Sequence, residues 1–227
     1  MSETLRVIGD IHGKYDEYVK LITSPDCDYS LQLGDFGFEY GCFRKNKIDT
    51  NRHFFFGGNH DNYDILESNE SPDACIGNYG LISLPSHHQF FFIRGAASID
   101  VKYRVEDFIA TKRKSWWYQE ELSWGQQSVC EEQYLNAKPD VVITHDAPTV
   151  FVEKLTNPAT LIHFGWSKNM KFQTQMFFQR LWEMHQPKLW ICGHYHKAQQ
   201  DVIEGTHFRC LHELEYADFN PDWTYAT

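Results

Sequence analysis

Two kinds of segment alternate along this chain: short apolar runs, and longer segments whose apolar residues recur every three or four positions. A short apolar run between turn residues is typical of a buried strand, whereas the longer spacing is typical of an amphipathic helix. The first such helix has Tyr15, Tyr18, Val19 and Ile22 on one face. The pattern predicts strands at residues 5–8, 31–33, 54–56, 81–84, 89–93, 141–144 and 189–192. It predicts helices at residues 14–22, 61–67, 126–137 and 172–185.

The end of the chain has the pattern of a hairpin. Residues 200–203 and 207–211 lie on either side of Glu204-Gly205, a dipeptide suited to a tight turn. Residues 100–123 show no clear periodicity, and we expect them to form an excursion over one end of the sheet. Strands alternating with helices, without an internal repeat, indicate a layered α/β fold.

Length and composition narrow the class of protein. A chain of 227 residues with 42% apolar and 23% charged residues can bury a full core, which argues against disordered and fibrous classes. We expect one domain over residues 1–227. No apolar run is long enough to cross a bilayer, and the amino terminus lacks the features of a secretory signal. The sequence therefore predicts a cytoplasmic protein that does not act at a membrane.

Residue types that bind metals follow the predicted strands, each just past an apolar run. Because the carboxyl ends of the strands in an open α/β sheet line one crevice, these side chains are expected to converge on one site. They are Asp10 and His12 after the first strand, Asp35 after the second, Asn59 and His60 after the third, and then His145, His194 and His196.

The motifs around these residues differ in how strongly each one indicates a metal site. Asp10-Ile11-His12 directs two side chains the same way, but a surface or helix-capping carboxylate beside an ordinary histidine gives the same pattern. Gly193-His194-Tyr195-His196 is more informative, because two imidazoles at this spacing after a buried run have little use in packing. The six cysteines form no CxxC pair, so the expected ligands are nitrogen and oxygen atoms.

Taken together, the motifs resemble those of the calcineurin-like metallophosphoesterases. They are GDIHG at 9–13, GD at 34–35, GNHD at 58–61, THDAP at 144–148 and GHYH at 193–196, and the resemblance covers residues 5–212. A second set resembles a subgroup common among bacterial and bacteriophage members: GAASID at 95–100, Arg104, SWW at 115–117 and Glu120-Glu121. The resemblance implies a four-layer αββα sandwich with a dinuclear metal site at the carboxyl ends of the strands.

The resemblance also implies a role for each residue. The first metal ion would be held by Asp10, His12, Asp35 and His196. The second would be held by Asp35, Asn59, His145 and His194, with Asp35 bridging the two ions. His60 would not be a ligand but would protonate the leaving alkoxide or stabilise its charge. Two divalent ions would activate a bridging hydroxide to attack phosphorus. The ligand types fit Mn, Fe, Zn or Ni, of which Mn is the expected metal.

One part of the sequence departs from the pattern of the protein serine/threonine phosphatases. Their GDxxDRG motif carries an Asp that orients the catalytic His and an Arg that binds phosphate, whereas this chain reads GDFGFEYG at 34–41. Glu39 or Asp61 is a candidate for the missing acid, although Asp61 also suits the cap of the next helix. Arg94, Arg104 and Arg113 are candidates for the phosphate-binding group, and Arg104 best matches the subgroup pattern.

These features predict a metal-dependent phosphatase that hydrolyses phosphomonoesters of a small molecule, a nucleotide or a phosphoprotein. The first alternative is a phosphodiesterase or nuclease on the same fold. A net charge of -10 argues against nucleic acid, although residues 102–114 are locally basic. Trp116 and Trp117 beside these cations either stack on a base or belong to the core. A non-catalytic scaffold is disfavoured, because all seven ligand positions and His60 are present.

Overall fold

The computed structural model describes residues 3–226, so residues 1, 2 and 227 of the predicted domain lie outside the described part. Within residues 3–226, ten strands form two sheets. Their bounds are β1 Leu5–Ile8, β2 Tyr29–Gln32, β3 His53–Phe55, β4 Tyr79–Ser83, β5 Gln89–Ile93, β6 Val141–Thr144, β7 Leu189–Cys192, β8 Gln199–Ile203, β9 Thr206–Cys210 and β10 Tyr216–Phe219.

The first sheet has the order β10-β1-β2-β3, and the second has the order β4-β5-β6-β7-β9-β8. Strands β1, β2 and β3 run parallel, as do β5, β6, β7 and β9. The remaining strands β10, β4 and β8 pair antiparallel with their neighbours. The parallel strands at the centre of each sheet therefore end at one edge, where their following loops can meet.

Eight α-helices connect and cover the sheets in the described part of the chain. They are α1 Tyr15–Ile22, α2 Gly41–Lys45, α3 Tyr63–Leu66, α4 Val101–Thr111, α5 Trp124–Ala137, α6 Thr149–Leu155, α7 Pro158–His163 and α8 Gln173–Met184. None of the helices within residues 3–226 combines the length and apolarity needed to span a membrane.

The core has three layers of apolar side chains because each sheet is covered on both faces. Period-two alternation divides β5, with Phe90 and Phe92 facing the first sheet and Phe91 and Ile93 facing the helices. On the outer face of the first sheet, Tyr18 of α1 packs with Phe36 and Phe43. Helices α5, α6 and α8 cover the second sheet. The predicted αββα sandwich is thus confirmed.

Most predicted elements are present, and the errors have physical causes. The strands at 89–93, 141–144 and 189–192 have the predicted bounds. The segment 100–123, for which no helix was predicted, contains α4. The periodicity is hidden because the one buried side chain of α4 is Arg104, while Tyr103 and Ile109 are exposed. The short elements α2, α6, α7 and β10 were not predicted.

Candidate metal centre

The predicted ligand side chains converge from loops that follow five strands of the two sheets. Residues 10–12 follow β1, Asp35 follows β2, residues 59–60 follow β3, His145 follows β6, and residues 194–196 follow β7. Three groups of ligand atoms each lie within 4.8 Å of one another: Asp10, His12 and His196; His12, Asp35 and His60; Asp35, His145 and His194. With Asn59 beside His145, the structure places all seven predicted ligand residues around one site.

In the first group, two imidazoles face one buried carboxylate. The Nε2 atoms of His12 and His196 are 2.8 Å apart. They lie 3.7 Å and 3.1 Å, respectively, from Oδ2 of Asp10. The same His12 Nε2 is 3.6 Å from Oδ2 of Asp35. Nitrogen and oxygen lone pairs thus point into one small volume, as a divalent cation requires.

In the group formed by Asp35, His145 and His194, the imidazole of His145 lies against Asp35. Its Nε2 lies 3.2 Å from Oδ1 of Asp35 and 3.2 Å from Oδ1 of Asn59. Its Nδ1 lies 2.7 Å from the carbonyl oxygen of Leu33, which can accept only if Nδ1 is the donor. This contact fixes the tautomer and leaves Nε2 free to bind a metal. Asp35 therefore lies between the two groups.

The buried carboxylates of the site favour the binding of cations. Asp10 and Asp35 are 0% and 1% exposed. Burial alone would raise the pKa of both carboxyls, but the surrounding imidazoles hold each pKa below its usual range. Burial alone would lower the pKa of His145, but the charge of Asp35 raises it to about 10. Buried carboxylates are costly unless paired with positive charge, which bound divalent ions supply.

The backbone of the loops supports the same interpretation. His12, Asp35, His194 and His196 have φ values of 45°, 55°, 67° and 50°, a region that residues with a Cβ rarely adopt. A Cβ on Gly58 would lie 2.3 Å from Oδ1 of Asp35, and a Cβ on Gly193 would lie 2.3 Å from Oδ1 of Asp10. The glycines of the motifs therefore make room for the carboxylates, and the residues present fit a metal centre.

His60 lies at the same site but has a different environment from the other imidazoles. Its backbone N–H donates to Oδ1 of Asp35 at 2.7 Å. A guanidinium nitrogen of Arg104 lies 2.5 Å from Nε2 and 3.2 Å from Nδ1 of its ring. Burial lowers the pKa of His60 to about 4, and the charge of Arg104 adds to the effect. Because His60 is also within reach of His12 and Asp35, geometry alone allows it as a ligand.

Arg104 reaches the site from α4 and is 7% exposed. It forms an ion pair with Asp100 at 2.8 Å. It also donates to the carbonyl oxygens of Asn59 and Ser115. Most of its guanidinium is therefore committed to protein groups, with one nitrogen directed at His60.

The two other candidate arginines lie in different places. Arg94 is 2% exposed and donates to Asn78, Glu67 and the carbonyl oxygen of Gln119, so it has a structural role away from the site. Arg113 is exposed and borders a recess beside His12 and His60.

Asp61 lies behind the site and holds its loops together. Its carboxylate accepts hydrogen bonds from the backbone N–H groups of Gly58, Gly37 and Phe36 and from the Tyr40 hydroxyl. Burial raises the pKa of Asp61 to about 7. The helix cap is Asn62 instead, whose side chain accepts from the N–H of Asp64, so the capping interpretation of Asp61 was wrong. The proposed substitute Glu39 is exposed.

A hydrogen-bonded chain that the sequence analysis did not assign orients Asn59. The Asn59 amide donates to Oγ of Ser98 at 3.1 Å, and this hydroxyl donates to Oε2 of Glu120 at 2.8 Å. Burial raises the pKa of Glu120 to about 8. The amide nitrogen is thereby held away from His145, leaving Oδ1 on the metal side. The subgroup motifs at 95–100 and 120–121 contained these residues without indicating their role.

Two recesses open on either side of His60. The larger, about 700 Å³, extends from Asp35 and His60 along α6, α7 and residues 164–172, and we call it the apolar cleft. The smaller, about 450 Å³, is bordered by Tyr15, Phe38, Arg113 and Trp117. Trp117 is 3% exposed, which favours the packing interpretation for this residue over stacking on a base.

Comparison with known proteins connects this geometry to a family. The family model described as calcineurin-like phosphoesterase matches residues 4–198. No curated protein sequence matches the chain significantly.

Several solved structures align with most of this chain at low sequence identity. The crystal structure of TT1561 of Thermus thermophilus has a TM-score of 0.52 and 12% identity, with 98% of this chain and 96% of that chain covered. Phosphopantetheinyl hydrolase (PptH) from Mycobacterium tuberculosis has a TM-score of 0.48 and 11% identity, with coverages of 93% and 90%. An archaeal phosphodiesterase has a TM-score of 0.46 and 12% identity, with coverages of 99% and 98%. At 12% identity, the likeness to TT1561 shows the fold alone.

Proposed function

The chain belongs to the calcineurin-like phosphoesterase family, whose members act on phosphoesters, and on this basis we propose that it hydrolyses phosphomonoesters at a two-metal centre. The observation that carries the proposal is the position of Asp35, a buried carboxylate between two groups of imidazoles. The residues proposed to hold the ions are Asp10, His12, Asp35, Asn59, His145, His194 and His196.

Some residues of the site would bind the metal ions, and others orient those ligands. When bound, divalent ions neutralise charge on phosphoryl oxygens and lower the pKa of water, so that it becomes a nucleophile at neutral pH. The ligand set of carboxylate, amide and imidazole without thiolate suits Mn, and Fe, Zn and Ni are alternatives. The contacts of His145 with Leu33 and of Asn59 with Ser98 keep the correct atoms directed inward.

We assign His60 to the leaving group. A guanidinium can only donate, so the ring nitrogen facing Arg104 accepts and the ring is uncharged. An uncharged imidazole retains one N–H, which can stabilise the developing charge on a leaving alkoxide. Arg104 holds the ring in this state and orientation. Asp61 lies behind these residues, where its carboxylate fixes the loops that carry Asp35 and His60.

Phosphodiester hydrolysis is the second candidate, and one observation favours it. The two recesses meet at His60, so a phosphorus atom at the site would have space for an organic group on each side. A monoester would fill only one recess, whereas a diester would fill both.

A substrate panel tests the proposal. Purified protein with Mn²⁺ would be assayed on a chromogenic phosphomonoester, a bis-aryl phosphodiester, a phosphopeptide, a dinucleoside polyphosphate and single-stranded DNA. We expect the monoester to give the highest kcat/KM and chelation to abolish it. Preference for the bis-aryl diester would support the second candidate, and no hydrolysis of any compound would contradict the proposed function.

A further inference from the structure

The apolar cleft begins at the proposed metal centre and continues away from it. Asp35, His60 and His194 lie at one end, and the walls come from α6, α7 and residues 164–172. The apolar side chains that line it include Ile99, Val152, Leu161, Phe164, Met170 and Phe172. An apolar space continuous with a phosphate-binding site is suited to the organic part of an ester.

Side-chain contacts hold the walls in place. The indole N–H of Trp166 donates to the carbonyl oxygen of Ile99 at 2.7 Å. The Trp166 ring meets Phe172 edge-on at 5.3 Å, and Phe164 meets Tyr103 of α4 at 6.4 Å. These contacts join the segment 164–172 to the loop after β5 and to α4. The cleft is therefore formed before any ligand enters, which reduces the entropy cost of binding.

The charges at the rim complement an anion. Lys168, Lys171 and Lys197 border the cleft. Lys171 pairs with Glu153 at 2.8 Å, whereas Lys168 and Lys197 form no ion pair with any residue among 3–226. Cations at the entrance attract a phosphate monoester toward the site, although the chain carries a net charge of -10.

We propose that the apolar cleft binds the alcohol portion of a small organic phosphomonoester, and that this portion is largely apolar. The inference rests on the proposed function and specifies its substrate class. A volume of about 700 Å³ falls within the range of small-molecule sites. Most of the alcohol would be desolvated by the walls while its phosphate lies at the metal centre. A phosphoprotein, with its bulky backbone around the ester, is the competing substrate in the test.

Ethyl phosphate and hexyl phosphate form a matched pair of substrates, because their leaving alcohols have nearly equal acidity and differ in apolar surface. We expect the Mn²⁺-loaded protein to favour hexyl phosphate by at least roughly tenfold in kcat/KM, through a lower KM. Equal kcat/KM for the two esters, or a higher value for a phosphoserine peptide than for hexyl phosphate, would overturn the inference.

Two neighbouring residues of α7 provide a variant and its control. Leu161 lines the cleft, whereas Ile162 is 57% exposed and does not line it. Leu161→Ser should reduce several-fold the ratio of kcat/KM for hexyl phosphate to kcat/KM for ethyl phosphate. Ile162→Ser should leave both unchanged. A full preference for hexyl phosphate in Leu161→Ser would contradict the assignment of the cleft.

Binding of phosphonates separates this inference from the proposed function, because phosphonates cannot be hydrolysed at the P–C bond by this chemistry. Calorimetry on the Mn²⁺-loaded protein should show hexylphosphonate binding roughly tenfold tighter than ethylphosphonate. Tighter binding without hydrolysis of any ester would refute the proposed function and retain the cleft. Hydrolysis without selective phosphonate binding would retain the function and refute the cleft.

Discussion

The two sheets contribute different chemistry to the one site. The first sheet carries the oxygen donors Asp10, Asp35 and Asn59 together with His12, whereas the second carries only imidazoles, His145, His194 and His196. Two of the three close groups of ligand atoms combine both sheets. The proposed site therefore forms only when the sheets are packed face to face, and the apolar interface between them, with Phe56, Phe92 and Ile143, holds its two halves together.

The asymmetry between the sheets has a physical basis. Carboxylates are costly to bury, and those of the first sheet are stabilised by N–H groups and imidazoles that arrive from both sheets. The N–H of His194, on the second sheet, donates to Asp10 at 3.0 Å, and that of His60 donates to Asp35. Loss of a carboxylate should consequently cost more than loss of any one imidazole.

The sharpest test of this asymmetry is Asp35→Asn. Removing the charge between the two groups should leave fewer than two metal ions per chain and nearly abolish hydrolysis. Elemental analysis and kcat/KM would measure both effects. His194→Ala, on the second sheet, should lose one ion and retain the other, while the exposed Asp140→Asn should behave as wild type. Two ions in Asp35→Asn would show that this carboxylate does not bridge.

His60 belongs to the first sheet but is not proposed as a ligand. His60→Ala should keep both metal ions yet lower kcat by roughly 10²- to 10³-fold, the order lost on removing one hydrogen-bond donor that stabilises charge in the transition state. His207→Ala, an exposed residue of β9, is the control. If His60→Ala loses metal together with activity, His60 is a ligand, as its distance to His12 and Asp35 permits.

Arg104 also links the two sheets. Helix α4 follows β5 of the second sheet, and the guanidinium of Arg104 contacts His60, which follows β3 of the first sheet. Arg104→Ala should lower kcat by roughly 10²-fold with normal metal content, and Arg104→Lys should recover part of the loss. A matched change on the exposed side of the same helix is Lys102→Ala. If the loss appears in KM alone, Arg104 binds phosphate directly and does not act through His60.

The smallest expected effect is on the free energy of unfolding, and it concerns a buried histidine of the first sheet that lies outside the metal site. His53 of β3 is 8% exposed, and its Nδ1 lies 3.0 Å from the Ser30 hydroxyl of β2. Burial, with a contribution from Arg52, lowers its pKa to about 4. The unfolded chain, with a histidine pKa of about 6.5, binds a proton that the folded chain excludes. This stabilising contribution is complete above pH 6.5 and decreases as the pH falls toward 4.

Acid should therefore lower the free energy of unfolding by about 2 kcal/mol through this group. Thermal midpoints of the wild type and of His53→Asn, measured between pH 7 and pH 4.5, would test it. The variant should start less stable and lose less on acidification than the wild type. Parallel pH profiles for the two proteins would show that His53 does not carry the effect.

The amino-acid sequence was sufficient to predict the elements with strong periodicity and the proposed ligand residues that the structure brings to one site. The apolar runs of β5, β6 and β7 are short and continuous, as is typical of parallel strands buried on both faces. Their bounds were therefore predicted to the residue. Each ligand motif lies within a few residues of a strand end, where backbone geometry and glycine spacing are local properties. Local patterns could therefore indicate a metal site, and the resemblance to a family supplied the roles.

The distant groups that act on those ligands are set by tertiary packing. The partners of His60, Asn59 and Asp61 are Arg104, Ser98 and the N–H groups of residues 36 and 37, separated along the chain by tens of residues. Helix α4 shows no apolar periodicity because its buried residue is an arginine, and β10 is a strand only through pairing with β1. Contacts of this kind depend on how the sheets and helices pack, which no local pattern specifies.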